Sequence, residues 1–562
     1  MSVMPDGSKL RIGLLMDSLD LWAWEWTMLK RIAESDYAEL SLIVVNADAP
    51  SRRAHDVEPQ ARRSNTLSSL VAWVLRLTYR ILEAKIDCEP DAFSLRDGTS
   101  LLSSIPTVML AAASEEGADY FVAEDIDRLR QFGLDVLIRL GLGPVGDEVG
   151  AAAKYGIWFL NHAHDRCEDR APPGFWEVYF GWPVNVMLLQ VLGNRESTVL
   201  ACSLSATNRL SVKLNRSSVY WKALSLIPRR LEELHQVGER TLLNVVDRPT
   251  NRAALNGGRR LGSPTNVQMA LHIGRNVTQR ARELLSRKFT LQQWILLCHP
   301  GEGLSTAISQ FRKIVPPKDR YWADPHVIKR GAKYYVFVEE YIFCSEKGHI
   351  SVLELDEKGQ HLSTTKVLER EYHLSYPCIF EHDGNLFMVP ESSANRTIEL
   401  YRCIEFPHKW VFVRNLLDGL FAVDSTLLHH NGRWWLFANV VENTGASPSD
   451  ELFLFHSSSL CNGRWTAHRL NPIISDVTRS RPAGPILRKA GKLYRPAQDC
   501  SVRYGYAITI NEITTLSEES YDERQVDRIK PNWDKRIVAT HTLSYAPGLT
   551  VMDCLQPRLR LC

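Results

Sequence analysis

Four acidic residues in the second half of the chain stand where acid–base chemistry could be carried out. Asp324 and Asp424 each begin a short apolar run typical of a β-strand, and Glu391 and Asp499 each end one. If these carboxylates meet, one can protonate a leaving oxygen while another acts as base or nucleophile, which is the chemistry of glycoside cleavage. The four acids are therefore candidate substrate-binding groups for a sugar-like molecule.

An internal repeat predicts where these acids lie. After about residue 292, β-rich runs alternate with turn residues, and four segments align as strand, turn and strand, beginning at Asp324, Tyr376, Asp424 and Gly484. Their spacing is close to the roughly 40–50 residues of one propeller blade. A five-bladed β-propeller accounts for the pattern, with the fifth blade drawn from residues 504–513 and a strand such as 293–298.

The channel acids also have a structural interpretation. Carboxylates near a propeller axis can bind backbone N–H groups, or can pair with cations such as Arg481 and Arg495. Ligand binding and structural pairing are about equally compatible with the pattern, so both interpretations stay open.

The first half of the chain has a different pattern of apolar residues. From Leu10 to about Leu234, short apolar strands alternate with helical stretches, which predicts an open α/β domain with a parallel sheet covered by helices. Strands are expected at 11–16, 40–45, 134–140 and 156–160, and helices at 125–132 and 147–154. Between Ala49 and Ala112 lie arginine-rich stretches around a helical segment at 70–82, to which the sequence assigns no role.

A glycine motif follows one of these strands. Gly141, Gly143 and Gly146 form the pattern G-x-G-x-x-G, which in dinucleotide-binding proteins lets the backbone approach a pyrophosphate. Asp165 lies near the place of the ribose-binding acid, but the intervening helix is too short for a Rossmann crossover. A nucleotide is therefore not the favoured ligand of this loop.

Residues 209–289 are expected to connect the two halves. The stretch 209–260 has 11 Lys/Arg against four acids, and Tyr220, Leu224, Ile227, Leu231 and Leu234 have helical spacing, so an amphipathic helix with a basic face is favoured over an anion site. Pro228 should kink or restart this helix. Glycines and proline in 251–264 indicate a linker.

Composition narrows the function. The 562 residues carry a net charge of only +2, so the chain lacks the large positive charge that would attract nucleic acid or an acidic membrane. No apolar run reaches the roughly 20 residues that a membrane-spanning helix needs. The 11 cysteines show no C-x-x-C spacing, which favours reduced thiols over a disulfide framework or a zinc site. We expect a cytoplasmic protein without a metal.

The second half resembles a known domain. The segments 321–325 (Tyr-Trp-Ala-Asp-Pro), 347–350 (Lys-Gly-His-Ile), 389–392 (Val-Pro-Glu-Ser) and 495–501 (Arg-Pro-Ala-Gln-Asp-Cys-Ser) resemble the N-terminal propeller of plant glucosamine inositolphosphorylceramide transferases. That domain in turn is similar to furanosidase and arabinanase propellers, whose strand-start carboxylates are catalytic. The resemblance covers about 290–562. In the plant enzymes sugar transfer belongs to a separate domain.

The first half resembles the folate-dependent formyltransferases. The similarity runs from Gly156 to Trp176, where the family carries Asn-x-His-Pro-Ser followed by Arg-Gly. The resemblance implies that Asn161, His162 and Asp165 would polarise the formyl group and deprotonate an amine, after a small shift in spacing. It also implies that the loop with Gly141, Gly143 and Gly146 would line the folate pocket and bind the donor, because glycines let the backbone approach a bound pterin closely. Two neighbouring histidines at a strand end are also common as plain loop residues.

These observations define one expected architecture and three functions. A formyltransferase-like α/β domain (1–208), a basic helical connector (209–289) and a glycosidase-like propeller (290–562) are predicted. The first function is transfer of a one-carbon or acyl group from 10-formyltetrahydrofolate to an amine of a sugar-like acceptor held by the propeller. The alternatives are a glycan hydrolase or glycosyl transferase using Asp324, Glu391 and Asp424, or a non-catalytic binding protein.

Overall fold

The computed structural model divides the chain into two compact units. It describes residues 8–46, 67–110, 113–115, 118–120, 123–141, 147–162, 173–192, 197–239, 263–301 and 308–560. The first unit takes its residues from 1–203, 207–280 and 443–446, and the second from 204–206, 281–442 and 447–562.

The first unit is an α/β structure, as its alternating pattern predicted. Its elements are β1 (Leu10–Met16), β2 (Asp20–Trp22), α1 (Ala23–Ala33), β3 (Ala38–Asn46), α2 (Leu67–Ala84), β4 (Leu95–Asp97), α3 (Thr99–Leu102), β5 (Thr107–Leu110), β6 (Ala113–Glu115), β7 (Ala118–Tyr120), α4 (Ala123–Arg130), β8 (Val136–Arg139), α5 (Asp147–Gly150), β9 (Ile157–His162), α6 (Phe175–Phe180), β10 (Val184–Leu192), β11 (Ser197–Ala206), α7 (Val212–Ala223), α8 (Leu226–Val237) and α9 (Asn266–Phe289).

Seven strands form one sheet in the order β11-β10-β9-β8-β1-β3-β5. The pairs β1–β3, β1–β8, β3–β5 and β8–β9 are parallel, and β9–β10 is antiparallel. The central strand β1 is buried along almost its whole length, which explains why its sequence is a continuous apolar run instead of an alternating one. The order reverses between β1 and β8, the place where open α/β sheets bind ligands.

The predicted connector is helical. α7 ends at Ala223 and α8 begins at Leu226, so that Pro228 lies in the first turn of α8 and the helix restarts there, as predicted. Ile227, Leu231 and Leu234 are buried, which agrees with the amphipathic interpretation. The predicted linker lies almost entirely outside the described residues.

The second unit is a five-bladed β-propeller. Its strands are β12 (Thr290–Gly301), β13 (Arg312–Ile314), β14 (Arg320–Arg330), β15 (Lys333–Ile342), β16 (Lys347–Leu355), β17 (His361–Leu368), β18 (Ser375–His382), β19 (Asn385–Ser392), β20 (Thr397–Glu405), β21 (Lys409–Asp418), β22 (Ala422–His430), β23 (Arg433–Val440), β24 (Glu451–Ser457), β25 (Thr466–Ala467), β26 (Ile474–Ser475), β27 (Leu487–Lys489), β28 (Lys492–Asp499), β29 (Ala507–Leu516), β30 (Tyr521–Ile529), β31 (Leu543–Ala546) and β32 (Gly548–Leu559). Short 3₁₀ helices lie at Ile308–Gln310 and Ser393–Asn395.

Each of the four aligned repeats starts one blade. Blades 1 to 4 are β14–β17, β18–β21, β22–β26 and β27–β30, and the fifth is the sheet β13-β12-β32-β31. The prediction for the fifth blade was half right: residues 293–298 do belong to it, but residues 507–513 lie in β29 of blade 4. β12 pairs instead with β32 over its full length, so strands from both ends of the propeller sequence close the ring.

One fully buried ion pair ties β28 to β30 in blade 4. Arg495 donates from Nε and Nη2 to the two carboxylate oxygens of Glu523, at 2.8 and 2.7 Å. Both side chains are at most 2% exposed. The sequence analysis named Arg495 as a possible partner of a channel acid. The structure shows that it pairs with Glu523 instead.

We expect Arg495→Met to lower the free energy of unfolding of the propeller by about 3 kcal/mol, because the buried Glu523 carboxylate loses its bidentate partner and keeps only the Tyr521 hydroxyl and the Arg479 guanidinium, which lies 4.0 Å away. The control is Arg524→Met, whose arginine is 65% exposed and pairs with Glu512, and which should destabilise the propeller far less because solvent screens the pair. Urea unfolding of both variants measures the difference. Equal, small losses would contradict the assignment.

Candidate functional site

The innermost strands of blades 1 to 3 share a β-bulge with a residue of positive φ. Asp324, Tyr376 and Asp424 have φ of 53°, 40° and 52°, and the pairing register slips beside each of them. The bulge re-aims one side chain per blade out of the alternating pattern. In blade 4 the aligned residue is Gly484 (φ 123°), where a Cβ would lie 2.0 Å from the Leu543 carbonyl oxygen, so that only glycine fits.

Asp424 is held by a cation and an amide. Its carboxylate accepts hydrogen bonds from Arg481 Nε at 2.6 Å and Nη2 at 3.2 Å, and from Gln498 Nε2 at 2.7 Å. The Asp424 backbone N–H donates to Glu391 Oε2 at 3.2 Å. Arg481, predicted as a possible partner of a channel acid, therefore neutralises Asp424 and lies 3.9 Å from Glu391.

Glu391 lies in an environment that favours its protonated form. Burial raises its pKa, and the neighbouring Asp424 carboxylate raises it further, to about 8, although Arg481 acts in the opposite direction. Ser393 donates to the other carboxylate oxygen at 2.7 Å. Glu391 can therefore carry a proton at neutral pH, as a general acid must.

Asp324 belongs to a second charged group with His541 and Asp553. His541 Nε2 lies 3.3 Å from Asp324 Oδ1, and His541 Nδ1 lies 2.7 Å from Asp553 Oδ2. Thr542 Oγ1 also donates to Asp324, and Asp553 accepts the backbone N–H of Asp324 at 2.9 Å. The imidazole is thus fixed between two carboxylates, and its ring stacks on Trp294 at 4.1 Å.

The two carboxylates decide the charge of His541. Burial by itself would lower its pKa, but Asp553 and Asp324 outweigh that effect and raise the pKa to about 9. Burial, Asp424 and Glu339 raise the pKa of Asp324 to about 7, while His541 lowers it. We call Asp324, Glu391, Asp424, Arg481 and His541 the axial site.

Aromatic rings border this site. The Tyr504 ring is 46% exposed, lies 4.8 Å from the Arg481 guanidinium and meets His541 edge-on at 5.4 Å. Tyr321 stacks on Tyr341 with centroids 4.8 Å apart, and its hydroxyl donates to Glu339 at 3.0 Å. The exposed part of Tyr504, beside carboxylates and the Arg481 guanidinium, offers both stacking and hydrogen bonds to one ligand.

The channel beneath the axial site is nearly closed. Asp324, Tyr376, Gly484 and Thr542 line a cavity of about 10 Å³, roughly the space of one water molecule. Tyr376 fills the axis by bonding Thr426 Oγ1 at 2.8 Å and accepting the Gly484 N–H at 2.7 Å. The side chains of Asp324 and Glu391 remain 6% and 10% exposed.

Asp499, the fourth acid predicted from the sequence, does not join the other three. Its carboxylate accepts hydrogen bonds from Ser501 and pairs with Arg528, and it is fully buried. Consecutive strand residues face opposite sides of a sheet, so the preceding residue, Gln498, is the one that reaches Asp424.

The predicted residues of the first unit are placed as follows. Asn161 and His162 are consecutive in β9 and therefore face opposite sides of the sheet. Asn161 donates to Gln190 Oε1 at 3.0 Å, whereas His162 is buried with Nδ1 4.0 Å from Glu177. At Gly141, a Cβ would lie 2.5 Å from the Asp17 carboxylate, so this glycine allows close packing on the chain after β1. Gly143, Gly146 and Asp165 lie outside the described residues.

Residues 309–541 match the family model described as "Glucosamine inositolphosphorylceramide transferase 1, N-terminal". Apart from residues 443–446, the match lies in the propeller unit; it contains Asp324, Glu391, Asp424 and Arg481 and ends at His541. It confirms the resemblance predicted for the second half. The resemblance of the first half to formyltransferases stays a prediction.

Plant proteins are similar to the same part of the chain. A protein of Oryza sativa subsp. japonica named Glucosamine inositolphosphorylceramide transferase 1 is 33% identical over 208 residues, which are 36% of this chain and 28% of the plant protein. The protein of that name from Arabidopsis thaliana is 33% identical over 209 residues, 37% of this chain and 27% of its own length. The chain thus spans less than a third of these curated relatives.

Solved structures of glycoside hydrolases are also similar. A family 117 glycoside hydrolase of Zobellia galactanivorans aligns with TM-score 0.31 and 11% identity over 47% of this chain and 90% of its own. The catalytic domain of a GH62 α-L-arabinofuranosidase of Coprinopsis cinerea aligns with TM-score 0.32 and 10% identity over 48% and 99%. At these values the likeness carries no information on activity.

We expect replacement of His541 by asparagine to change how stability depends on pH. A histidine whose pKa is raised on folding stabilises the native state fully below its unfolded pKa, near 6.5, and loses that contribution as pH rises through its folded pKa of about 9. The difference in unfolding free energy between wild type and His541→Asn should therefore shrink, on the order of 3 kcal/mol, between pH 6.5 and 9.

The control is the exposed His408, whose replacement by asparagine should leave the wild-type pH dependence unchanged. Chemical unfolding at several pH values gives the comparison. A constant difference between wild type and His541→Asn across this range would show that His541 is not held as a cation.

Proposed function

We propose that the protein acts on a sugar-containing substrate, which the axial site of the propeller binds. One observation carries this proposal: three buried acids from different blades meet Arg481 and His541 beside the exposed Tyr504 ring. Such a set offers acceptors and donors for hydroxyl groups and an apolar face for a sugar ring.

The protein contacts fix these groups in place before any ligand arrives. Asp424 takes three hydrogen bonds from Arg481 and Gln498, and Asp324 is bonded by Thr542 and by the Tyr376 N–H at 3.3 Å. Each carboxylate oxygen has two lone pairs, so capacity remains for ligand hydroxyls. A rigid polar site loses little conformational entropy when it binds.

The comparisons support a sugar-containing ligand. The plant relatives are named glucosamine inositolphosphorylceramide transferases, and residues 309–541, which match the family model of that name, contain the whole axial site. Since the chain covers less than a third of those proteins, their activity as a whole is not transferred to it. A sugar-containing acceptor or product is the part of the proposal that they favour.

A second candidate function is acid–base catalysis in the axial site. The specific observation is the raised pKa of Glu391, which lies beside Asp424, together with the His541 partner of Asp324 in another blade. Protonated Glu391 would give its proton to the departing glycosidic oxygen, and ionised Asp324 would take a proton from the attacking water or acceptor hydroxyl. The C–O bond to the leaving group breaks as the new one forms.

One-carbon transfer by the α/β unit rests on the sequence pattern alone. The described residues do not fit the proposed folate site well, because Asn161 and His162 face opposite sides of the sheet and the space at Gly141 is taken by Asp17. We therefore derive no step through 10-formyltetrahydrofolate. A rise in the melting temperature with that compound would be the observation that restores this role.

We expect the full chain to bind glycans on an array, and Tyr504→Ala to weaken binding to the best glycan by about tenfold, because the substitution removes an exposed stacking face. The matched control is Phe412→Ala, an aromatic residue that is 51% exposed on the outer strand β21 and should leave affinity unchanged. Unchanged affinity in Tyr504→Ala, with the variant folded, would contradict a ligand at the axial site.

Two further variants separate binding from catalysis. On a panel of p-nitrophenyl glycosides, Asp324→Asn and Glu391→Gln should each lower kcat by about 10²-fold or more if the axial site performs acid–base chemistry. If the site only holds the acceptor, no nitrophenol is released by wild type, and the same variants weaken glycan binding. Release that persists in both variants would exclude the second candidate.

A further inference from the structure

The helix α2 carries an exposed apolar face that neither proposed site uses. Six large apolar side chains of α2 are exposed by 40–61% of their surface: Leu70, Val71, Trp73, Val74, Leu77 and Ile81. Leu70, Trp73, Val74, Leu77 and Ile81 follow the spacing of three and four residues that places side chains along one helix face. A contiguous apolar surface of this kind marks an interaction site.

The opposite face of α2 is firmly anchored to the first unit. Glu83 accepts hydrogen bonds from Ser211 Oγ at 2.7 Å and the Lys213 N–H at 2.8 Å, and pairs with Arg280 at 2.6 Å. The Tyr79 ring packs against His272 at 5.8 Å. Because polar and aromatic contacts fix this face inward, the apolar face cannot turn into the core.

The charges on the outward side have one sign. Arg76, Arg80 and Lys85 are exposed, and Glu83, the one acid between residues 67 and 85, points inward and is paired. An apolar stripe with a tryptophan, flanked by cations and without an outward acid, is the composition of helices that lie in a membrane interface. The net charge of +2 for the whole chain conceals this local arrangement.

We propose that α2 docks the protein onto an anionic lipid surface, with Trp73 and Leu77 inserted at the headgroup level and Arg76 and Arg80 facing the lipid phosphates. Within the described residues no helix is long and apolar enough to cross a membrane. The 18 residues of α2 would therefore lie along the surface. This inference is independent of the axial site.

The test is flotation of the full chain with two kinds of vesicle, phosphatidylcholine alone and phosphatidylcholine with roughly 30% phosphatidylserine, the second carrying the anionic charge that basic residues recognise. Wild type should float with the anionic vesicles. The double substitution Trp73→Ser with Leu77→Ser should weaken this binding about tenfold or more, because it removes the inserted apolar surface.

A second variant tests the contribution of the basic residues of α2 to membrane binding. Arg76→Gln with Arg80→Gln should weaken binding to anionic vesicles by about 25-fold, near fivefold for each cation, and should not change the weak binding to neutral ones. The control replaces two exposed apolar residues of the propeller, Leu362→Ser with Ile404→Ser, and should float as wild type does. All variants change exposed side chains, so folding is expected to be unaffected.

Two results would overturn the proposal. The first is a wild-type chain that does not float with anionic vesicles, or Trp73→Ser with Leu77→Ser floating as well as wild type. The second is a concentration-dependent dimer, seen by sedimentation, that the same double substitution abolishes, because the face would then be covered by a second copy of the chain.

Discussion

The propeller depends on one constraint: charges buried at its axis must be neutralised within a few ångströms. An unpaired ionised group in a protein interior costs several kcal/mol, and removal of one partner leaves the other in that state. The axis meets this constraint twice, with Arg481 against Asp424 and Glu391, and with His541 between Asp324 and Asp553. The two groups come from different blades, so the charge pairs also hold the ring of blades together.

The same constraint explains how the repeats have diverged. Blades 1 and 3 present an aspartate at the bulge of the innermost strand, whereas blade 2 presents Tyr376 and blade 4 presents Gly484. Tyr376 occupies the axis and forms hydrogen bonds with Thr426 and with the Gly484 N–H. A neutral side chain therefore stands where a third aspartate at a bulge would have added another buried charge. The acids are thereby divided between the Arg481 group and the His541 group, and the pKa of Glu391 is raised in the first while His541 is cationic in the second.

Much of the propeller could be predicted because each of its first four blades begins with a local pattern. Strand, turn and strand recur at Asp324, Tyr376, Asp424 and Gly484, and the structure places all four at equivalent positions. The fifth blade could not be predicted fully, because β12 and β32 come from opposite ends of the propeller sequence. His541 and Asp553 belong to that part of the ring, and no repeat pattern marks them.

Two other differences between the sequence-based predictions and the structure come from the way side chains alternate along a strand. A sequence run shows that Asp499 ends a strand but not which way it faces, and the one-residue alternation places Gln498 at the axis instead. The same alternation separates Asn161 from His162. The resemblance of the first half to formyltransferases assigned both residues to one site, and only the position of both in the strand β9 shows that their side chains point to opposite sides.

The most direct test of the axial site is a crystal structure of the full chain grown with the glycan that it binds best on the array. The account predicts a sugar whose hydroxyl groups contact Asp324, Glu391 or Arg481 and whose ring lies against Tyr504. A sugar bound elsewhere, with the axial site holding the same contacts as without ligand, would contradict it.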